Sequence, residues 1–148
     1  MKLKLKVFRQ TKEGYCGPDS IKTVLDYYGL NKSEREIAKA VCVTKKEGCT
    51  PQQIISGMKK FGLNAYYKKD STLKQIKDLL KKNIPPMIYW GRHGEGHYSV
   101  ITGIGKNNVW IADPENKKVI NLKMKYFLRR WIDVEKSKDK REIIVIEH

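Results

Sequence analysis

The residue of greatest chemical interest is Cys16, in the stretch RQTKEGYCGPDSIKTVLDYYG, residues 9–29. Gly17 and Pro18 follow it, and residues 17–28 carry apolar side chains at helical spacing. A proline suits the first turn of a helix, where its missing N–H has no helical partner. Cys16 is therefore predicted at a helix N-terminus, where free N–H groups and the helix dipole favour a thiolate. A small, buried structural cysteine is the alternative.

A nucleophilic cysteine needs a base and a group that orients the base. Among the three histidines, His148 is the terminal residue, and His93 lies in the Gly-rich stretch GRHGEG, which is typical of a solvated loop. His97 begins the predicted strand HYSVITGI, and a hairpin turn at 106–108 would place Asp113 beside it. A neighbouring carboxylate fixes the tautomer of an imidazole and stabilises its protonated form. The alternatives are a hydrogen-bonded histidine at a strand end and a simple Asp-Pro turn.

Gln10 could complete this chemistry, because it lies six residues before Cys16 at the end of a predicted first strand. Its side-chain N–H and the backbone N–H of Cys16 would form a two-donor oxyanion hole. An ordinary surface glutamine is the alternative. A cysteine, a histidine, an aspartate and a glutamine need no metal and no cofactor, so none is expected.

The elements that must position these residues are mainly helices in the first half of the chain and antiparallel strands after it. Capping boxes are predicted at Ser33–Glu36 and Thr50–Gln53, with Thr72 capping a further helix. Short strands rich in β-branched and aromatic residues follow, which indicates an α+β fold. One domain is predicted over 1–148, with a helical lobe at about 9–83, a sheet lobe at about 84–148 and a cleft between them. The predicted helices cover 17–28, 33–41, 50–62, 72–83 and 123–133, and the predicted strands 1–10, 63–69, 85–91, 97–105, 108–114, 118–122 and 141–148.

The amino-acid composition limits the classes of protein and of partner that fit this sequence. The formal net charge of +15 over 148 residues indicates an anionic partner or a lysine-rich solvated surface. Few arginines accompany the scattered lysines, which disfavours nucleic-acid binding. No apolar run reaches the length of a membrane span, and MKLKLKVFRQ lacks the apolar core of a signal peptide, so the cytoplasm is expected. Three cysteines without CxxC spacing disfavour a disulfide framework and a zinc knuckle.

Four separated features in a fixed order resemble a known family. The pattern Q…CGP…VLDYYG, followed by HYSVITGI and V.IADP, is similar to the papain-like cysteine peptidases that process bacteriocin precursors after a double-glycine leader, and to their stand-alone relatives. The resemblance covers roughly residues 8–132. It implies a papain-like cysteine proteinase fold with a helical lobe packed on an antiparallel sheet lobe. It also implies that Cys16 is the nucleophile, His97 the general base, Asp113 the orienting acid and Gln10 the oxyanion donor.

Two features depart from the family pattern. Asp19 stands three residues after the nucleophile, where a small residue is usual, and its charge would oppose a nearby thiolate. In bacteriocin exporters the peptidase domain precedes a membrane domain and an ATPase, so a separate transporter is the partner that the resemblance implies. The expected function is peptide hydrolysis, and the resemblance implies a cleavage site after Gly-Gly. The alternatives are a non-catalytic peptide-binding module that keeps the fold and, with less support, a basic nucleic-acid-binding protein.

Overall fold

The fold is known from a computed structural model, which describes residues 2–92, 95–132 and 140–148. Within these ranges helices predominate before β2 and strands after it, much as the sequence predicts, and the α+β class is confirmed. His93 and residue 133, the predicted end of the last helix, lie outside the described residues. The elements in chain order are α1 (Cys16–Tyr27), α2 (Glu34–Ala40), α3 (Pro51–Lys60), β1 (Asn64–Lys68), α4 (Leu73–Lys81), β2 (Met87–Arg92), β3 (Glu95–Ile104), β4 (Asn108–Ala112), β5 (Val119–Lys123), α5 (Met124–Ile132) and β6 (Glu142–Glu147).

Local sequence signals start three of the helices where they were predicted. Ser33, Thr50 and Thr72 each accept a hydrogen bond from the backbone N–H three residues on, and the side chain at that position accepts the cap residue's own N–H. These reciprocal bonds satisfy N–H groups that have no partner inside a helix. The three capping predictions are therefore confirmed, and for Thr72 the full box is present with Gln75.

All strands form a single antiparallel sheet in the order β1-β6-β2-β3-β4-β5. The predicted hairpin at 106–108 joins β3 to β4 and is confirmed. Strand β1 pairs with β6 although it lies within the segment predicted as the helical lobe. A boundary near residue 84 therefore does not separate helices from strands along this chain.

Both faces of the sheet are covered, because alternate residues of its strands enter two different apolar clusters. In β6, Ile144 and Ile146 belong to one cluster, whereas Ile143 and Val145 belong to the other. Helices α1, α2 and α3 pack on the first face and are called the front layer here. Helices α4 and α5 pack on the second face and are called the back layer. The sheet thus lies between two helical layers.

The predicted first strand at 1–10 is wrong in its extent. The described part of the segment forms one isolated bridge, Lys2 with Gly103, and Leu3 N donates to Thr102 O at 2.7 Å. Both edges of β3 are already paired, with β2 and β4, so a complete further strand has no free ladder to join. The single contact occurs where the β3–β4 register shifts between Ile101 and Gly103. Such an irregularity leaves a backbone group unpaired by its neighbouring strand.

None of the helices in the described ranges is long and apolar enough to cross a membrane.

Candidate active site

A cleft of about 300 Å³ opens beside the start of α1, between the turn that precedes α3 and the first residues of β3. It brings together three of the four predicted site residues. Two tyrosines and a second cysteine join them. The lining includes Gln10, Cys16, Cys49, Tyr89, His97 and Tyr98.

Cys16 is the first residue of α1 and is half-buried at the cleft. Its predicted position at a helix N-terminus is confirmed. The sulfur accepts a hydrogen bond from the backbone N–H of Tyr98, with 3.5 Å between the two atoms. The same tyrosine donates its hydroxyl to Cys49 O and accepts from Ser20 Oγ through its carbonyl. Strand β3 is therefore tied to α1 and to the turn before α3 through a single residue.

His97 is buried, with 6 % of its surface exposed, and its Nε2 lies 2.6 Å from Asp113 Oδ1. The predicted contact between these residues is confirmed. Because Nε2 faces Asp113, Nδ1 is the ring nitrogen left for the sulfur of Cys16. Burial alone would lower the pKa of His97, but the hydrogen bond to Asp113, the interaction with the neighbouring Cys16 side chain and the Asp113 charge raise that pKa to about 10. The imidazole therefore holds its proton at neutral pH, the state that favours a neighbouring thiolate.

Asp113 is fully buried and is held on both carboxylate oxygens. Oδ1 contacts His97 and accepts the backbone N–H of Glu115 at 3.1 Å, while Oδ2 lies 2.6 Å from Arg92 Nε. Burial alone would raise the pKa of Asp113; the hydrogen bond and charge of His97, the Glu115 N–H and the Arg92 charge lower it. Asp113 is thus an anion that faces two cations.

Arg92 is the member of this network that sequence reasoning missed. Its Nε also donates to Glu115 Oε2 at 3.1 Å, so one guanidinium contacts both carboxylates. The pairing of β2 with β3 sets Trp90 opposite His97, which carries Arg92 to the same end of the sheet. That pairing was the available signal, but the strand was predicted to end at Gly91. Side-chain atoms of His97, Asp113 and Glu115 lie within 4.8 Å of one another, a spacing that would suit a metal ion. Arg92 already supplies a cation to both carboxylates of this group.

Gln10 lines the cleft, but its amide is already partly engaged. Nε2 donates to Lys12 O at 3.3 Å, and Oε1 is buried without a hydrogen-bond partner among the described residues. Its backbone N–H donates to Pro114 O at 2.8 Å, which fixes Gln10 beside the residue that follows Asp113. A side-chain amide carries two N–H groups, so one remains for a ligand. The oxyanion role of Gln10 stays a prediction.

Asp19 is buried, with 2 % of its surface exposed. Burial, a hydrogen bond to the Glu34 side chain and the Glu34 charge raise the pKa of Asp19 to about 8, and the charges of Lys22 and Lys12 only partly oppose this. At neutral pH the carboxyl is therefore mainly protonated. The expected negative charge beside the nucleophile is largely absent at that pH.

Neither of the other two cysteines resembles an activated nucleophile, and two further candidate residues lie outside the cleft lining. Burial, and next the charge of Cys16, raise the pKa of Cys49 to about 12, so Cys49 stays a thiol although it lines the cleft. Cys42 is exposed elsewhere, and His148 stacks on the ring of Tyr28. Trp90 is buried in the back-layer cluster.

The chain resembles known proteins in sequence. The family model described as the peptidase C39 family matches residues 4–137. An uncharacterized protein of Methanothermobacter thermautotrophicus is 31 % identical over 109 residues, which are 73 % of this chain and 70 % of that protein. The lactococcin transport/processing ATP-binding protein LcnC-like of Lactococcus lactis is 30 % identical over 141 residues. These residues are 90 % of this chain but only 19 % of that transporter.

Solved structures agree on the fold. The double glycine motif protease from an AMS/PCAT transporter, in complex with its leader peptide, superimposes with a TM-score of 0.75 at 20 % identity, covering 98 % of this chain and 92 % of that one. The peptidase domain of Streptococcus ComA, a bi-functional ABC transporter, gives a TM-score of 0.74 at 22 % identity, covering 95 % and 96 %. The predicted fold is confirmed by both.

Proposed function

Because this chain belongs to the peptidase C39 family, we propose that it is a cysteine peptidase in which Cys16, His97 and Asp113 form the catalytic triad. One observation carries the proposal: Cys16, at the N-terminus of α1, lines the same cleft as a buried imidazole whose Nε2 lies 2.6 Å from Asp113 Oδ1. A nucleophile, a base and an orienting group in hydrogen-bond contact are the arrangement that thiol hydrolysis needs.

The proposed reaction follows from this geometry. Cys16 Sγ attacks the carbonyl carbon of the scissile peptide bond, and the oxyanion accepts hydrogen bonds from the Cys16 N–H and the free N–H of Gln10. Protonated His97 gives its proton to the leaving amine, and the C–N bond breaks. His97 then takes a proton from water, which attacks the thioester and releases the acid. Asp113, fixed by Arg92, keeps the ring oriented throughout.

The proposed substrate is a peptide whose cleavage site follows two glycines. The cleft favours small substrate residues near the sulfur, because the side chains of Tyr89, Tyr98 and Cys49 line it. A Cβ added at Gly17 would lie only 2.5 Å from Cys49 Sγ, which indicates how little space remains beside the nucleophile. The cytoplasm is the proposed compartment, and a separate transporter is the proposed partner that the family resemblance implies.

Alkylation tests the nucleophile independently of any substrate. Iodoacetamide near neutral pH, followed by peptide mapping, should label Cys16 faster than the exposed Cys42 and much faster than buried Cys49. Equal alkylation rates at Cys16 and Cys42 would contradict the proposal that Cys16 is an activated nucleophile. Cleavage of a Gly-Gly leader peptide by the wild type, its loss in Cys16→Ser and its retention in Cys42→Ser complete the test.

A non-catalytic peptide-binding module is the second candidate, and the amide of Gln10 favours it. That amide donates to Lys12 O, so one N–H is turned to the protein's own backbone. If the remaining N–H does not reach the reacting carbonyl, the oxyanion loses a donor that is typically worth a hundredfold or more in rate. Tight binding of the leader peptide by the wild type, with no product after long incubation, would select this candidate.

A further inference from the structure

The outward surface of the back layer is strongly basic. Helix α4 exposes Lys74, Lys77 and Lys81, and α5 exposes Lys125 and Arg129. Within its bounds α5 has no acidic residue. The two helices pack their apolar sides on the same face of the sheet, so these cations point away from it in the same general direction. The exposed residues of α4 and α5 are called the back face here.

Neighbouring acidic groups do little to neutralise the back face. Within their bounds, α4 and α5 hold six basic residues and one acidic residue, whereas the front-layer helices hold five basic and four acidic residues. The single acid is Asp78, which pairs with Lys74 at 3.1 Å on the same helix. The excess of positive charge is therefore concentrated on one side of the molecule's helices.

Exposed apolar and aromatic groups lie among these cations. Tyr126 and Ile132 of α5 are 41 % and 37 % exposed, and Tyr126 lies beneath the guanidinium of Arg130 at 5.1 Å. Ile132 shares a stripe of α5 with Lys125 and Arg129, since the three are spaced by four and three residues. Cations that flank an aliphatic and an aromatic side chain on one helix face are typical of helices that lie on a membrane surface.

We propose that the back face docks the protein on an anionic phospholipid surface as a peripheral contact. Lysines attract the negative headgroup layer, while Tyr126 and Ile132 enter the boundary between headgroups and acyl chains. Nucleic acid fits less well, because an exposed isoleucine gains nothing on a phosphate backbone and four of the five exposed cations are lysines.

This orientation leaves the candidate active site accessible. The cleft is built from α1, the turn before α3 and the ends of the strands on the front side, and the back face lies across the sheet from the front layer. A protein docked through α4 and α5 therefore presents its cleft away from the lipid. The inference does not depend on Cys16 being catalytic.

Vesicle sedimentation tests the proposal with the whole chain. The protein should partition onto vesicles of phosphatidylcholine mixed with phosphatidylglycerol and not onto phosphatidylcholine alone, and added salt should release it. The double variant Lys77→Gln/Arg129→Gln should lower the partition coefficient about thirtyfold, at about fivefold per cation. The matched control Lys39→Gln/Lys59→Gln removes two exposed cations from α2 and α3 and should keep most of the binding.

Each further result decides for or against the proposal. An equal loss in both double variants would overturn it in favour of unspecific net charge. Tighter binding to duplex DNA than to the anionic vesicles at the same salt would overturn it in favour of nucleic acid. Tyr126→Ser should weaken vesicle binding without changing its salt dependence, which reports the apolar contact. Unchanged thermal unfolding and Cys16 alkylation would show that each variant is folded.

Discussion

The two helical layers cover the same sheet but differ in where they place their polar groups. In the front layer, α1 carries Cys16 at its start and the buried carboxyl of Asp19 one turn on. In the back layer, the buried side chains of α4 and α5 are all apolar or aromatic, and the charges stand outside. Burying a polar group is costly unless it is paired. The front layer therefore accepts a cost in stability that the back layer avoids, which is the expected signature of a layer that carries function.

The largest difference between the two layers is expected in the reaction rate, when His97→Ala is compared with a back-layer variant. Removing the imidazole should lower kcat/KM for a Gly-Gly peptide by about 10²- to 10⁴-fold, because both proton transfers are lost. Alkylation of Cys16 should slow as well, while Cys42 serves as the internal control. Unchanged alkylation of Cys16 in this variant would remove His97 from the pair.

The converse contrast concerns stability. Phe127 is fully buried in the back layer, stacked on Trp131 with 5.4 Å between ring centroids. Phe127→Ala should lower the free energy of unfolding by about 3–5 kcal/mol in a denaturant titration. In native buffer, iodoacetamide should still alkylate Cys16 of the folded variant in preference to Cys42. Loss of that preference at full folding would mean that the two layers are not separable.

Arg92 gives a smaller effect that stays within the front side. Arg92→Met removes the cation beside Asp113 Oδ2, and Arg92→Lys restores a charge without the planar guanidinium. Because Arg92 lowers the pKa of Asp113, its loss should move the acidic limb of the pH–rate profile upward. We expect about a tenfold fall in kcat/KM, with partial recovery in the Lys variant. An unshifted acidic limb would make Arg92 merely structural.

The smallest effect on rate is expected for Asp19→Asn. With its pKa raised to about 8, Asp19 is mainly neutral at pH 7, so the variant should alkylate Cys16 within about twofold of the wild type. The folded state retains a proton that the unfolded chain loses near pH 4, so the wild type should lose stability against the variant as pH rises from about 4 to about 8. The slope cannot exceed about 1.4 kcal/mol per pH unit for one group. Thermal unfolding across this range measures it, and a parallel pH dependence of both proteins would contradict the raised pKa.

Local signals account for the parts of the fold that were predicted well. Capping boxes and the 106–108 turn depend on residues three or four positions apart, and the structure has them as expected. The first strand was predicted wrongly because the alternation of polar and apolar residues shows only that Leu3 and its apolar neighbours are buried. It does not show that they pair with another strand. Strand β3 lies about a hundred positions after this segment, and its pairing with β2 and β4 decides whether it has a free edge.

The candidate site divides in the same way. Cys16, His97 and Asp113 could be found from residue type, order and a predicted hairpin. Arg92 could not, because its role depends on the length of β2 and on the charges that meet at one end of the sheet. The protonation of Asp19 likewise depends on burial and on Glu34 in another helix. The order of residues in the sequence does not show which charged or buried groups surround one another in the fold.

The three hydrogen bonds of Tyr98 have a consequence for how the protein matures. Cys16 and Tyr98 are separated by 82 positions, and the contact between sulfur and backbone forms only when β3 docks against α1. A partly folded chain with α1 alone would lack this contact and the neighbouring His97. Alkylation of Cys16 during refolding should therefore change in rate when β3 docks against α1, so that one thiol reports the formation of a long-range contact.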